Sequence, residues 1–352
     1  MEAVTAYTPE QLLASRPIAE PLIANGVRCH GGFDADGLYH SPRTLFRQPA
    51  IEAWQAKLAA DGHPLLEIPS TLMPPQYPSA AQARLLLRHG VRDPLVRTLT
   101  VISIVEGFGA MIRDVRVPDL EQVFVEPVDG TALAHLRGGL FEAHARDESG
   151  YRNEGGHKQM WEAARDVALE NPKIPGDVLM RLMGRRGRSG PPKPAFPELG
   201  EDLERMLGLM ANVLVVEIFA EGTFHWGVEV LSDPEVSAAP QVAGDMVRNI
   251  QKDEKPHVEY LRTALSEVAA RTLNTVDGKT ISGRKVVHGL LHRILSQITR
   301  DRPGDQRDDL RESLSEAILG AANPSALQDE FDQLEVSWTP PEKTGFEPSV
   351  EA

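Results

Sequence analysis

The sequence contains almost no cysteine. Cys29 is the only one among 352 residues, so a disulfide within the chain is impossible. A single thiol also excludes a metal cluster that several cysteine thiolates would hold. We therefore expect a protein of a reducing compartment, and a cytoplasmic location.

Basic residues and long apolar runs are also scarce. Lys and Arg number 37 against 51 Asp and Glu, which gives a formal net charge of -14. A chain this acidic is not expected to bind nucleic acid or an anionic membrane surface. No basic patch with a following apolar run marks a secretory signal. No uninterrupted apolar stretch reaches the roughly 20 residues of a membrane span, so none is expected.

Two Glu-x-x-His pairs lie on stripes of apolar residues. Glu254 and His257 form one pair, in a segment where apolar residues recur at helical spacing. Glu154 and His157 form the other, on a stripe that continues to Trp161. Burying an ionised carboxylate costs several kcal/mol unless it is paired or binds a metal. The pattern therefore predicts metal ligands on two buried helix faces.

Two further helical segments place acids on apolar stripes. Glu106 lies on the first, and Glu217 and Glu221 lie one turn apart on the second. The spacing leaves open which of the latter two is the main ligand and which is an extra ligand or proton donor. His225 follows after another turn, where a third imidazole ligand and a hydrogen-bonding core histidine both fit, the second being favoured. Glu217 and His225 are the candidate catalytic residues.

In chain order these helices supply Glu, Glu-x-x-His, Glu and Glu-x-x-His. This order resembles the ferritin-like di-iron carboxylate superfamily, over roughly residues 93–271. The resemblance implies an all-α fold built on a four-helix bundle with a dimetal site. The implied metal ligands are Glu106, Glu154, His157, Glu217, Glu221, Glu254 and His257.

The same reading divides the chain into four parts. Residues 1–92 form an N-terminal arm or cap, and residues 93–271 form the ferritin-like bundle. Residues 272–335 add C-terminal helices that pack on the bundle. Residues 336–352 are rich in proline and charge, so we expect a disordered tail.

The resemblance implies a non-haem di-iron oxygenase or oxidase. Its cofactor would be two iron ions, although manganese or a mixed Mn/Fe pair suits the same oxygen and nitrogen ligands. Its partners would be dioxygen, a small organic substrate and an external electron donor, and a homodimer through bundle faces would be unsurprising. The N-terminal cap favours an organic substrate, because it would shape a pocket. The alternative is a ferroxidase, a manganese catalase-like enzyme or another metal-binding protein without an organic substrate.

Four other features have competing interpretations. Pro256 lies between two ligands and predicts a kink or π-bulge there. Residues 184–190 are basic, and a mobile surface loop is favoured over a lid for an anionic partner. His144 and Glu148 are interpreted as a surface pair. Asp253 is either a group that orients a ligand imidazole or a solvated acid.

Overall fold

The computed structural model describes residues 6–174, 176, 178, 193–301, 303–339 and 341–347. The chain is mostly helical, which confirms the predicted class in its coarse form. The helices in chain order are α1 (Pro9–Leu12), α2 (Arg47–Ala60), α3 (Ala80–Arg88), α4 (Asp93–Gly109), α5 (Leu120–Val123), α6 (Phe141–Ser149), α7 (His157–Ala168), α8 (Glu201–Leu231), α9 (Pro240–Ala269), α10 (Gly283–Ser296), α11 (Pro303–Leu319) and α12 (Pro324–Gln333).

Two small sheets accompany the helices, and the sequence reading did not include them. The first is antiparallel, with strand order β1 (Glu20–Ala24), β2 (Val27–Phe33) and β3 (Tyr39–His40). The second pairs β4 (Thr272–Asn274) with β5 (Thr280–Ser282), also antiparallel. The first sheet belongs to the predicted N-terminal arm, and it reaches the candidate site described below.

Prolines lie at or near the ends of the long helices. Pro94 lies in the first turn of α4, where its missing N–H leaves no helical bond unmade. Helix α8 spans residues 201–231 as predicted and ends shortly before Pro234. Helix α9 continues through Pro256, and none of its residues adopts the π-helical conformation expected there.

The segment between α4 and α8 differs from the sequence prediction. The sequence of residues 131–148 predicts a helix, but Gly138 adopts a φ of 72° and α6 begins only at Phe141. Gly150, with a φ of 81°, then ends α6, because this conformation is open mainly to glycine. Helix α7 restarts at His157. The prediction that Glu154 and His157 share one helical stripe is therefore wrong.

The helices that carry the predicted site residues pack side by side. Helix α4 packs against α6 and α7, α7 packs against α9, and α9 packs against α8. Two apolar cores lie at opposite ends of this arrangement. Along α8 the first core extends to Ile218 and the second begins at Phe224, while along α9 the second core extends to Ile250 and the first resumes at Tyr260. The polar middle of each helix lies between the two cores.

Two helical stretches are apolar and long enough to cross a membrane by length and composition alone. They are Asp93–Asp114, with 33% of its apolar window buried, and Glu201–Leu231, with 56% buried. The sequence reading did not recognise them. A core helix passes the same test, and both stretches pack within the helical arrangement. Within the first stretch, Val105 on α4 and Met111 in the 3-10 turn after it are exposed apolar side chains.

The C-terminal part packs on this framework. Helix α12 was not predicted, and Phe331 from it is buried in the second core. Residues 341–347, inside the predicted disordered tail, include a buried Phe346, and the Thr344 hydroxyl lies 3.0 Å from Nδ1 of His292. The basic loop at 184–190 lies outside the described residues.

Candidate metal centre

Six buried side chains of the metal-ligand type converge where the two cores meet. They come from α6, the first residue of α7, the middle of α8 and the middle of α9. They are His144, Glu148, His157, Glu217, Glu254 and His257. They form two overlapping groups of four, and within each group one donor atom per residue lies within 4.8 Å of the others. Glu148 and His257 belong to both groups.

Two carboxylates face the same two imidazoles. Glu254 places Oε1 at 2.7 Å from Nδ1 of His157, and Oε2 at 2.7 Å from Nδ1 of His257. Oε1 of Glu148 lies 3.3 Å and 3.2 Å from the same two nitrogens. Both histidines thus direct Nδ1, and not Nε2, towards these two glutamates.

A third imidazole completes one side of the cluster. Nε2 of His144 lies 3.4 Å from Oε1 of Glu217 and 3.8 Å from Oε1 of Glu148. The ring stacks on His257 with centroids 4.0 Å apart, and its Nδ1 is 3.3 Å from the hydroxyl of Tyr260. His144 is fully buried, so its interpretation as part of a surface pair is wrong.

Several of these polar atoms make no hydrogen bond within the protein. They are Nε2 of His144, Oε1 of Glu148, Nδ1 and Nε2 of His157, and Oε1 of Glu254. Nδ1 of His157 and Oε1 of Glu254 are 2.7 Å apart, yet their angles are not those of a hydrogen bond. An unsatisfied buried polar atom costs about 1–3 kcal/mol. Atoms that converge without bonding to one another are arranged as ligands of a shared cation would be.

Two aspartates lie on the far side of the histidines. Oδ2 of Asp147 is 2.9 Å from Nε2 of His257, and Oδ2 of Asp253 is 3.7 Å from Nε2 of His157. Both aspartates are completely buried. Carboxylates in this position fix the ring orientation of a metal-binding histidine. Of the two interpretations of Asp253, orientation of an imidazole fits and a solvated acid does not.

The electrostatics of the inner four groups are strongly coupled. Burial by itself would raise the pKa values of Glu148 and Glu254, but His157 and His257 outweigh it and hold both at about 2. In turn, Glu254 and Glu148 raise the pKa values of both histidines well above the ordinary range, against the effect of burial. The geometry thus favours ionised carboxylates beside positive charge.

Two outer carboxyls behave in the opposite way. Burial, and then the charges of Glu148 and Glu254, raise the pKa values of Glu106 and Glu217 well above the ordinary range. Glu106 is partly exposed as a residue, and its Oε1 accepts a 3.2 Å hydrogen bond from Nε1 of Trp161. These two acids would hold protons unless a further cation stabilised their ionised forms.

The structure brings together four of the residues that the sequence proposed as ligands, and it places Glu106 beside them. The four are His157, Glu217, Glu254 and His257. Glu154 lies outside the cluster, before α7, where it pairs with Arg28 at 3.2 Å near the surface. Glu148 occupies the place predicted for Glu154, because glycines 150, 155 and 156 fold the chain into a loop between α6 and α7.

Glu221 and His225 also lie outside the cluster. Their side chains are 57% and 63% exposed, and they face each other at 3.7 Å on the surface of α8. Of the two candidate acids on α8, Glu217 and Glu221, only Glu217 is buried in the site. The third imidazole comes from His144 and not from His225. One sequence signal points to Glu148: the dipeptide Asp-Glu occurs at 147–148, 253–254 and 329–330, and the first copy precedes His157 as the second precedes His257.

The N-terminal segment contributes residues that sequence reasoning missed. Arg43 and Arg47 both donate to Asp147, at 2.6 Å and 2.7 Å. His30 and Tyr39 approach Oδ2 of Asp253 at 3.1 Å and 2.8 Å. These contacts span a hundred residues of sequence or more, so no local pattern predicts them.

Comparisons with protein-family models, with curated proteins and with solved structures gave no match to this chain. The functional argument therefore depends on the site itself.

Proposed function

We propose that the buried cluster is a dimetal centre of the ferritin-like type, and that the chain is a non-haem di-iron oxygenase or oxidase. The observation that supports this most directly is the set of converging, unsatisfied donor atoms. Glu148 and Glu254 each face both Nδ1 atoms, as carboxylates that bridge two ions would. His144 and Glu217 would complete one metal position, and Glu106 would complete the other.

The charges of the site suit two divalent ions. Six acids lie in or beside the cluster: Glu106, Asp147, Glu148, Glu217, Asp253 and Glu254. Arg43 and Arg47 neutralise two of these charges, which leaves four negative charges when the acids are ionised. Two divalent cations would balance four charges, whereas one would leave two buried carboxylates uncompensated. The ions would replace protons that the raised pKa values otherwise favour.

The donor types favour iron or manganese. All candidate ligands are carboxylate oxygens or imidazole nitrogens, which suit these metals. Cys29, the only thiol, has its sulfur 3.8 Å from the backbone oxygen of Val27, and burial raises its pKa to about 11. A thiolate ligand is therefore not available. When bound, two iron ions would supply the electrons and open coordination positions that dioxygen reduction needs, and an external donor would return the electrons.

The surroundings of Glu106 favour an organic substrate over iron as a substrate. Of the acids in or beside the cluster, Glu106 on α4 is the most exposed to solvent. Val105 on the same helix and Met111, in the 3-10 turn that follows it, are 41% and 52% exposed. Iron ions that enter a storage site would be guided by acids, whereas an apolar flank suits a small apolar molecule.

Metal stoichiometry is the first test of the proposal. The chain, stripped with a chelator, is titrated anaerobically with Fe²⁺, and two bound ions per chain are expected. His157→Ala and His257→Ala should each lose one ion while the helices stay folded, as circular dichroism would report. His225→Ala is the matched control and should keep both ions. Unchanged stoichiometry in both of the first two variants would rule out this ligand set.

Oxygen uptake then separates the reaction classes. With two Fe²⁺ per chain and a small-molecule reductant in excess, an oxygenase or oxidase should consume oxygen over many turnovers. Oxidation of excess Fe²⁺ to a protein-held ferric mineral would instead support a ferroxidase. Release of oxygen from hydrogen peroxide by the manganese-loaded chain would support a catalase-like enzyme, and either result would overturn the oxygenase proposal.

A further inference from the structure

The N-terminal segment is held against the candidate metal centre by backbone bonds. The backbone N–H of His30, on β2, donates to the carbonyl of Gly155 at 2.8 Å, and the N–H of Gly155 donates to the carbonyl of Arg28 at 2.8 Å. This pairing fixes β2 beside the start of α7, where His157 lies. After β3 the chain turns through Arg43, whose φ is 53°, and then enters α2. The segment therefore has a defined position relative to the cluster.

Arg43 bonds to two different groups of the site. Its Nε donates to Oδ1 of Asp147 at 2.6 Å, and its Nη2 lies 3.0 Å from Nδ1 of His30. A guanidinium group can only donate hydrogen bonds. Nδ1 of His30 must therefore accept and be unprotonated, which places the single ring proton on Nε2. That nitrogen lies 3.1 Å from Oδ2 of Asp253 and donates to it.

Two series of hydrogen-bonded or ion-paired groups thus start from the side chain of Arg43. One runs from Arg43 through Asp147 to Nε2 of His257. The other runs from Arg43 through His30 and Asp253 to Nε2 of His157. Glu148 and Glu254 contact both series at the histidines that end them. On the outer side, among the residues that the structure describes, Arg43 is the one that hydrogen-bonds to both series.

Two neighbouring residues, Arg47 and Tyr39, each contact only one of these two series. Arg47 bonds to Oδ2 of Asp147 but, among the described residues, to no group of the series that runs through His30. Tyr39 bonds to Oδ2 of Asp253 on the other side. Arg47 has the same charge as Arg43 and the same carboxylate partner, so it is a natural control for Arg43.

We propose that Arg43 is a positioning residue that holds both histidine ligands of the dimetal centre in place. The inference rests on the proposed metal centre. Loss of Arg43 should loosen Asp147 and His30 together, and through them His257 and His157. Removing an outer partner of a metal ligand typically costs 10- to 100-fold in metal affinity. Arg43 acts on the histidines only through intervening groups, so both metal-binding steps should weaken by about tenfold in the variant, the lower end of this range.

Three variants separate this role from a general effect of charge. Arg43→Gln removes the shared group, Arg47→Gln removes an equal charge from Asp147 alone, and His30→Leu removes the link to Asp253 alone. Co²⁺ is titrated anaerobically into each metal-free variant, and the two binding steps are followed by visible absorption and dialysis. Arg43→Gln should weaken both steps, whereas each of the other two should weaken one step and leave the other within about threefold of wild type.

The outcomes are distinguishable. Wild type that binds fewer than two ions overturns the proposed metal centre itself, irrespective of the variants. Two ions in wild type, with only one step weakened in Arg43→Gln, or with an equal two-step loss in Arg47→Gln, overturns the role of Arg43 alone. If Arg43→Gln fails to fold, ¹⁵N spectra of the wild-type histidines decide. His30 protonated only on Nε2 supports the link to Arg43, and a doubly protonated ring overturns it.

Discussion

Replacing Glu148 by glutamine, beside the same change at Glu154, tests which of the two carboxylates belongs to the site. Oε1 of Glu148 lies within 3.2–3.8 Å of nitrogens of three buried histidines. The pKa of its carboxyl is about 2 against an ordinary 4.5. At 1.36 kcal/mol per pKa unit, the surroundings favour the ionised form by about 3 kcal/mol. Glutamine keeps the shape and removes the charge.

The stabilisation that ionised Glu148 contributes depends on pH with a defined sign. The folded pKa of Glu148 is depressed, so its contribution to stability is present above about pH 4.5 and is lost as pH falls towards 2. At pH 7, without metal, Glu148→Gln should therefore lower the free energy of unfolding by about 3 kcal/mol. The affinity for metal should fall at least 100-fold, since even outer partners of a ligand are worth 10- to 100-fold.

Glu154→Gln should have almost no effect. Glu154 forms a partly exposed pair with Arg28, and pairs of this kind contribute about 0–1 kcal/mol. Urea unfolding in chelator at pH 7 measures the stability of both variants, and anaerobic Fe²⁺ titration measures their affinity. Equal effects of the two substitutions, or metal loss in Glu154→Gln alone, would refute the assignment of Glu148 to the site.

Two other predictions concern packing and protonation. Gly109→Ala should weaken metal binding and lower stability by about 1–3 kcal/mol, because the new Cβ would lie 2.7 Å from Cγ of Glu148; thermal unfolding and Fe²⁺ titration would show both effects. Gly222→Ala, on α8 with open space around it, is the control and should raise stability by about 0.5–1 kcal/mol. Burial raises the pKa of Glu267 to about 7 from 4.5, so the folded state holds the proton more tightly than the unfolded state. Wild type should therefore lose up to about 3 kcal/mol relative to Glu267→Gln as pH rises from about 4.5 to 7 in urea unfolding, and a difference independent of pH would contradict this.

The parts of the site that periodicity predicted lie on uninterrupted helices. Glu217 is in the middle of α8, and Glu254 and His257 are in the middle of α9. On such helices a spacing of three or four residues does place side chains on one face. Glu221 shows the limit of this spacing rule. It lies one turn from Glu217, but the rotation of about 40° over four residues, together with the open surroundings of α8, places it at the surface.

The error at Glu154 has a local cause that the sequence contains. Gly150 and Gly156 approach each other closely, since a Cβ on Gly156 would lie 2.4 Å from the backbone nitrogen of Gly150. The chain between them forms a loop, so a helical count across it fails. The acid that precedes the loop, Glu148, and the histidine that follows it, His157, meet at the site although a separation of about two and a half helical turns would place them on opposite faces of one continuous helix.

The contribution of the N-terminal segment could not be predicted by any local rule. Arg43 and Arg47 meet Asp147 from about a hundred residues away, and His30 meets Asp253 from more than two hundred. Such contacts depend on how β2 and α2 dock, which the hydrophobic pattern of a single segment does not specify. A buried arginine is also unexpected from composition, because arginine is seldom buried without a partner.

The Asp-Glu dipeptides at 147–148 and 253–254 explain why the site requires assembled helices. Glu148 and Glu254 each face both Nδ1 atoms, while Asp147 of α6 approaches the histidine of α9, and Asp253 of α9 approaches the histidine of α7. Each histidine is thus oriented by an acid from a different helix. No single helix can form the ligand arrangement alone, so metal binding must be linked to docking of α6, α7 and α9. An ion held at a free concentration 100 times its Kd would then stabilise the docked state by about 2.7 kcal/mol, in addition to what the two apolar cores contribute.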